Sequence, residues 1–524
     1  MNFATKSILA GLNTAFLCLN AYGAQEQNEQ PGKAPEEVHS KPNIILIYAD
    51  DMGWADVGYK GLKNAGFYET PNIDRLAREG MIFHRFYPSA ANCAPSRAGM
   101  ITGTYGPRHH VYLPQGYSRG GAIEAMRWKT PTHDGPESFL DVFQVNVNHV
   151  DPEFESFAEV LNRAGYATAR LGKWHIGDDN QGFDLSSAEG TPNYITNLHG
   201  KEHRFYTDTT VAERLTDAAI DFMHENRDGP FFIYLSHWEP HGPLAARKGR
   251  IAYFAEKMKG LTGEDEFRNA HYEALREQSK WEDPATFAAM VEQLDISTGR
   301  VMAALEALQL EENTMVIFTS DNGAISSRTS NYPLRSGKGS YYEGGIRTPF
   351  AVRWPGVIGP GMESDIAING IDMLPTFADM ASVPLPQSQP VDGLSILPIL
   401  KGEEDQFDTD RALFFHFPLY MGGGDRELTA PDAQLPVYNG PDNYWRAVPS
   451  TVIMKGDYKL IRYYEYDRYE LFNLREDISE KNDLSGEMPE LANRLLRELD
   501  EWIKETNAPV PNIPNPKFDP DFRF

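Results

Sequence analysis

The stretch Asn43-Ile44-Ile45-Leu46-Ile47-Tyr48-Ala49-Asp50-Asp51 decides the fold. It is a continuous apolar run that stops on two adjacent carboxylates. A run without polar alternation fits a strand buried on both faces, the habit of parallel sheets. Two further runs repeat the pattern. Phe231–His237 (FFIYLSH) leads to Glu239 and His241, and Thr314–Ser320 (TMVIFTS) leads to Asp321-Asn322-Gly323. Three apolar strands that each end in a polar cluster point to one site, because ligands of open α/β sheets gather beyond the carboxyl ends of the strands.

Outward from that run the chain alternates. Thr70 precedes Pro71–Glu79, which reads as a short helix with a cap and a proline at its first position. Met81–Tyr87 reads as a strand, Ala94–Thr102 and Glu153–Arg163 as helices, and Ala167–Leu171 as a strand. Asp208–Asn226 and Pro284–Leu308 read as helices. The alternation predicts an α/β fold: a large central, mainly parallel mixed sheet with helices on both faces. Tyr105–Asp151, rich in His, Arg, Gly and Pro, and the charged Leu244–Glu282 read as insertions of the kind that shape substrate choice. The texture changes near residue 400. Lys401–Asp410 is polar; Leu413–Pro418, Ser450–Lys455 and Tyr458–Tyr464 read as short strands, and Pro489–Thr506 as a helix. The division expected is a catalytic domain over 41–400 and a smaller C-terminal α+β domain with an antiparallel sheet over 401–524.

The composition narrows the possibilities. Of 524 residues, 41% are hydrophobic and 24% charged, which suits a folded chain with a sizeable core. Asp and Glu number 75 against 49 Lys and Arg, a formal net charge of −26. That field repels nucleic acid and anionic lipid, so neither is an expected partner. No stretch after the N-terminus approaches a membrane span. Residues 1–24 read as a signal peptide, with Lys6 before an apolar run and small residues at Ala21–Ala24; residues 25–40 form a polar, flexible lead-in. The expected location is therefore exported, periplasmic or secreted. Of the two cysteines, Cys18 would leave with the signal and Cys93 would remain alone.

Asp50, Asp51, Asp321 and Asn322 are oxygen donors of the kind hard divalent cations take. Read alone, the Asp pair is more simply a set of helix caps or solvated turns; the match of Asp321-Asn322 at a second strand end turns the reading to a metal. Cys93-Ala94-Pro95-Ser96-Arg97 places a thiol near a positive helix end with a permanent cation close by. By its chemistry this is an activated nucleophile or an anion site. Ser336-Gly337-Lys338-Gly339-Ser340 has the residues of a phosphate loop but not the spacing.

Cys93-Ala-Pro-Ser-Arg97, followed by Ala-Gly-Met-Ile-Thr102-Gly103, resembles the signature of the formylglycine-dependent sulfatases of the alkaline phosphatase superfamily, and exported bacterial polysaccharide sulfatases in particular. The resemblance runs in order from Pro42 to about Leu400. Leu171-Gly172-Lys173-Trp174-His175, Glu239-Pro240-His241-Gly242-Pro243, and Gly337-Lys338 through Gly345-Ile346-Arg347-Thr348-Pro349 match further elements of that family. The resemblance implies an alkaline phosphatase-like fold and a Cys93 oxidised to formylglycine by a sulfatase-maturing enzyme. It implies one calcium ion held by Asp50, Asp51, Asp321, Asn322 and residue 93. It also implies that Lys173 and Lys338 bind sulfate, that His175 assists its release, that Arg97 supports the nucleophile and that His241 protonates the leaving alcohol, with Arg347 structural.

The activity expected is hydrolysis of sulfate esters on a sulfated oligo- or polysaccharide such as ulvan or carrageenan. His237, Arg108, His109 and His110 are candidate sugar contacts, with His133 and His149 further off. Two alternatives remain: a phosphodiester or phosphonate monoester hydrolase of the same superfamily, and a non-catalytic calcium-dependent glycan-binding relative.

Overall fold

The Asn43–Ala49 run is the spine of an eight-stranded sheet. It pairs in parallel with Phe231–Ser236 on one side and with Thr314–Ser320 on the other. The order across the sheet is Met362–Ser364, Met81–Phe83, Phe350–Arg353, Thr314–Ser320, Asn43–Ala49, Phe231–Ser236, Ala167–Gly172 and Leu185–Ser186. Only Phe350–Arg353 runs antiparallel to its neighbours. The sheet is thus mixed and mainly parallel, as the alternation predicts.

The computed structural model describes residues 41–60, 67–113, 138–142, 147, 149–186, 211–242, 244–259, 284–326, 328–421 and 445–521. The predicted signal peptide and lead-in lie outside this set. So do Cys18, His133, Pro243 and much of both predicted insertions; of the second, Lys248–Lys259 is helical.

Burial on both faces explains the unbroken apolar strands. Ile45, Ile47, Ile233, Leu235, Val316 and Phe318 point into one core, closed by the Pro71–Arg78, Val211–Glu225 and Pro284–Leu308 helices. Ile44, Leu46, Phe232, Tyr234, Met315 and Ile317 point into the other, with the Cys93–Thr102, Phe157–Arg163 and Met373–Ala381 helices. Each such fully buried side chain contributes about 1.5–3 kcal/mol relative to exposure. Among the described residues no helix is long and apolar enough to cross a membrane.

Leu413–Phe417, Ser450–Lys455, Tyr458–Tyr463 and Arg468–Asn473 form a second, antiparallel four-stranded sheet. The Pro489–Thr506 helix covers one face through Leu495 and Leu499, which meet Ile453, Leu460 and Leu471. The other face packs Phe415, Phe417 and Val452 against Tyr87, Tyr341 and Tyr342.

Several elements differ from expectation. Met81–Tyr87 is two short strands, Met81–Phe83 and Phe86–Tyr87, which join different sheets. The expected Glu153–Arg163 helix begins only at Phe157, because Ser156 caps it and pairs with Glu159 in a capping box. Cys93 is the first residue of its helix rather than the one before it.

Candidate active site

The parallel register builds the site. Ala49 lies opposite Ser320, Tyr48 opposite Ser236, and Gly172 opposite Ser236. The next residues along these strands, Asp50, Asp321, His237 and Lys173, must therefore emerge side by side. Backbone bonds continue the alignment: Asp321 N donates to Ala49 O at 3.2 Å and Lys173 N to Ser236 O at 2.8 Å. Gly172 is required where it stands. Its φ is +101°, and a Cβ there would fall 2.0 Å from the Ser236 carbonyl oxygen. Asp51 and His175 adopt φ of +66° and +71°, values that non-glycine residues keep mainly where surrounding structure holds them.

Three carboxylates and a carboxamide converge here. Asp50, Asp51, Asp321 and Asn322 are fully buried. Asp50 Oδ1, Asp51 Oδ2 and Asn322 Oδ1 are buried oxygens that accept no hydrogen bond. One ligand atom each from Asp50, Cys93 and Asp321 lies within 4.8 Å of the others, and the same holds for Asp50, Asp51 and His241. Burial, then the neighbouring Asp50, pushes the Asp321 carboxyl up to about 6 against the pull of Arg97. Buried hard oxygen donors left without a hydrogen bond, beside two clusters of potential ligand atoms that share Asp50, fit a divalent cation.

Cations pack around this acidic centre. Arg97 stands one turn after Cys93 and is wholly buried. Its Nε and Nη2 donate to Asp321 Oδ2 at 3.0 and 2.7 Å, and Nη1 donates to Tyr234 OH at 3.1 Å and Ser236 Oγ at 2.5 Å. Tyr234 and Asp321 keep its guanidinium charged despite burial. Lys173 Nζ bonds Asp50 Oδ2. Lys338 Nζ lies 2.5 Å from Asp51 Oδ1 and 3.8 Å from Cys93 Sγ. Burial alone would raise the Asp51 carboxyl, but Lys338, His241, Lys173 and Arg328 hold it well below the usual range.

Two histidines flank the cluster. His241 Nε2 lies 3.7 Å from Asp51 Oδ2, with the side chain 28% exposed. His175 is pushed down to about 3 by burial and then by Lys173 and Arg97. The cluster thus brings together Cys93, a set of oxygens of the kind hard cations take, two lysines and two imidazoles, an arrangement suited to transferring an anionic group from an ester.

The candidate sugar contacts fare differently. His237 is fully buried, with Nε2 2.9 Å from Ser297 Oγ, so it belongs to the sheet-to-helix packing and not to a substrate surface. Arg108 is held by Asp392, Nε to Oδ2 at 2.8 Å, and His109 is buried, with Nδ1 accepting from Val111 N at 3.1 Å. His237 and His109 are thereby corrected to structural positions, while the side chain of Arg108 remains 18% exposed beside Asp392. His110 is exposed at the helix end, and His149 lies against Gly177. Arg347, buried, donates to the His84 carbonyl oxygen at 2.8 Å and to Glu343 Oε2 at 3.2 Å.

Sequence reading missed Tyr234, Ser236 and Arg328. The first two sit in an apolar strand whose alternation could have marked them as facing the Cys93–Thr102 helix. Arg328, whose Nη1 lies 3.7 Å from Asp51 Oδ2, carries no local signal.

The chain is similar to known sulfatases along most of its length. The sulfatase family model matches residues 42–383. A sulfatase of Formosa agariphila is 30% identical, the alignment covering 92% of this chain and 94% of the relative. The N-acetylgalactosamine-6-sulfatase of Mus musculus is 30% identical over 72% of this chain and 68% of its own. The crystal structure of Ps i-CgsB in complex with k-i-k-neocarrahexaose superposes with a TM-score of 0.63 at 27% identity, covering 88% of this chain and 93% of the other. The fold and site define a hydrolase of the alkaline phosphatase superfamily. Within it, the chain belongs to the sulfatase family and is a sulfuric ester hydrolase.

Proposed function

We propose that this sulfatase removes sulfate from a sulfated carbohydrate, with Cys93 matured to formylglycine and a calcium ion at Asp50, Asp51, Asp321 and Asn322. The observation that carries the reading is that Cys93 at the start of its helix offers a ligand atom within 4.8 Å of carboxylate oxygens of Asp50 and Asp321, with Lys338 Nζ 3.8 Å from its sulfur. The relatives named for N-acetylgalactosamine 6-sulfate and the structure holding a carrageenan oligosaccharide support a glycan. A leader at residues 1–24 would export the enzyme to meet it.

The cation, when bound, supplies positive charge that acidifies a hydroxyl and draws a sulfate oxygen. Formylglycine, when hydrated, would supply a nucleophilic oxygen and, on the same carbon, a second hydroxyl whose loss of a proton would expel sulfate and return the aldehyde. The remaining work falls to the chain. Arg97 holds Asp321 and the Lys173 carbonyl, at 3.2 Å, and so fixes the start of the helix against two strand ends. Lys173 and Lys338 hold sulfate oxygens and neutralise charge spreading onto them. His241, partly exposed beside Asp51, gives its proton to the departing sugar oxygen. Burial foremost, and then Lys173, Lys338 and Arg328, disfavour imidazolium at His241 against the pull of Asp51; an arriving sulfate anion would favour it. His175, behind Lys173, takes up a proton as sulfate leaves.

The test is sulfate release. The chain co-expressed with a sulfatase-maturing enzyme is assayed on a panel of algal and animal sulfated oligosaccharides beside Cys93→Ala. Release by the parent alone supports the reading, and the responding glycan identifies the substrate. Faster turnover of an aryl phosphodiester than of an aryl sulfate would favour the phosphoester alternative.

A further inference from the structure

The C-terminal sheet reaches the active site through one buried ionic group. Lys459, in the Tyr458–Tyr463 strand, is fully buried. Its Nζ lies 3.0 Å from Glu343 Oε1 and 2.9 Å from Glu480 Oε1, and all three side chains are shielded from solvent. Glu480 Oε2 also accepts from the Glu343 backbone N–H at 2.7 Å. Glu343 opens the short Glu343–Ile346 helix, which follows the loop carrying Lys338. The residues grip both the side chain and the main chain of one position.

That helix braces the cluster. Gly323 N, one residue past Asn322, donates to Gly345 O at 3.0 Å. The approach is so close that a Cβ on Gly323 would fall 1.8 Å from Gly344 O. The loop behind Lys338 is tied in as well: Gly344 N donates to Arg335 O at 2.9 Å, and Lys338 N donates to Ala324 O at 3.0 Å. A displacement of Glu343 therefore moves the backbone beside Asn322 and the loop that aims Lys338.

Buried ion clusters are a poor means of adding stability, since apolar residues of similar volume often serve as well, and their best-attested use is to fix one geometry. We propose that Lys459 and Glu480 are positioning residues for the sulfate site: through Glu343 they set the Glu343–Ile346 helix, and thereby the placement of Lys338 and Asn322. The C-terminal sheet would then complete the catalytic centre rather than merely cover it. The inference rests on Lys338 and Asn322 acting as proposed above.

The full-length chain is compared with Glu480→Gln, Lys459→Met and Lys455→Ala, the last removing a lysine of the same sheet whose pairs with Glu498 and Asp410 lie away from Glu343. The first readout is hydrogen exchange of residues 336–347, which needs neither metal nor turnover. The second is calcium affinity by calorimetry. The third is kcat and KM on 4-nitrophenyl sulfate after maturation. At pH 8, where the Glu480 carboxyl is ionised, Glu480→Gln should speed exchange across 336–347 at least tenfold, weaken calcium binding at least tenfold and lower kcat more than it raises KM. Lys455→Ala should change none of these. Unaltered exchange in a folded Glu480→Gln protein would overturn the proposal, as would a lowered Tm with calcium affinity and kcat intact. If Lys459→Met does not fold, Glu480→Gln decides alone. A parent that binds no calcium would defeat the metal reading, and the exchange result would still decide the positioning.

Discussion

Lys338 Nζ stands between Asp51 Oδ1, at 2.5 Å, and Cys93 Sγ, at 3.8 Å. One ammonium group thus spans the acidic cluster and the reacting residue. Burial works against its charge, but Asp51 foremost keeps the lysine protonated well past the normal range. The group therefore meets an incoming sulfate as a fixed cation over the whole working pH range. Lys338→Met should lower kcat/KM for an aryl sulfate by about 10²–10³, the usual loss when one preorganised charge is removed from a developing oxyanion. Lys338→Arg should not restore the rate, because a planar fork cannot replace a compact ammonium in a space this closed. Steady-state rates of the matured variants, with conversion of Cys93 checked by peptide mass, decide it.

Calcium should stabilise the protein as well as activate it. Asp50, Asp51 and Asp321 crowd one buried point, and oxygens of Asp50, Asp51 and Asn322 accept no hydrogen bond there. A ligand that binds only the folded state adds about 2.7 kcal/mol at a hundredfold excess over its Kd. Titrating calcium into chelator-treated protein should raise Tm progressively and restore sulfate release. Asp321→Asn should blunt both effects. A Tm indifferent to calcium, and to other divalent cations, would remove the metal from the account.

Cys93→Ser should not turn over. A serine hydroxyl at the start of the helix has the same neighbours, Lys338 and the Asp50–Asp321 pair, but carries no second hydroxyl on its carbon. Sulfate passed to it would remain as a stable ester, so the expected product is an inert protein or one bearing a single sulfate, visible as a mass increase. Sustained multiple turnover by this variant would show that position 93 needs no maturation.

The strand ends were legible because parallel pairing leaves little freedom. Three apolar runs of similar length, each followed by polar residues, must place those residues together once they pair in register, and Ala49, Ser320 and Ser236 do so. The Cys93–Arg97 spacing was legible for a similar reason, since one helical turn puts both residues on one side. His237 was misleading because it occupies the last place of such a run while its side chain turns back to Ser297. Short strands such as Phe350–Arg353 and Met362–Ser364 lack the length to show a period. Lys459 gave no warning: a lysine within a strand reads as an exposed residue until the partners that bury it, Glu343 and Glu480, are brought in from distant parts of the chain.

The same buried group predicts a pH dependence of stability. Burial, then the nearby Glu343, pushes the Glu480 carboxyl up to about 7, above its ordinary value of 4.5, although Lys459 pulls the other way. A carboxyl whose folded value is raised holds its proton more tightly in the folded state, so the stability it lends is fully present below the unfolded value and is lost as pH rises through about 7. The parent should therefore lose Tm between pH 5 and pH 8 more steeply than Glu480→Gln, whose amide does not titrate. The contrast is cleanest in chelated protein, where the metal site contributes no competing dependence on calcium. Parallel Tm-against-pH curves for the two proteins would mean that Lys459 keeps Glu480 ionised throughout, with its charge matched in the fold at every pH.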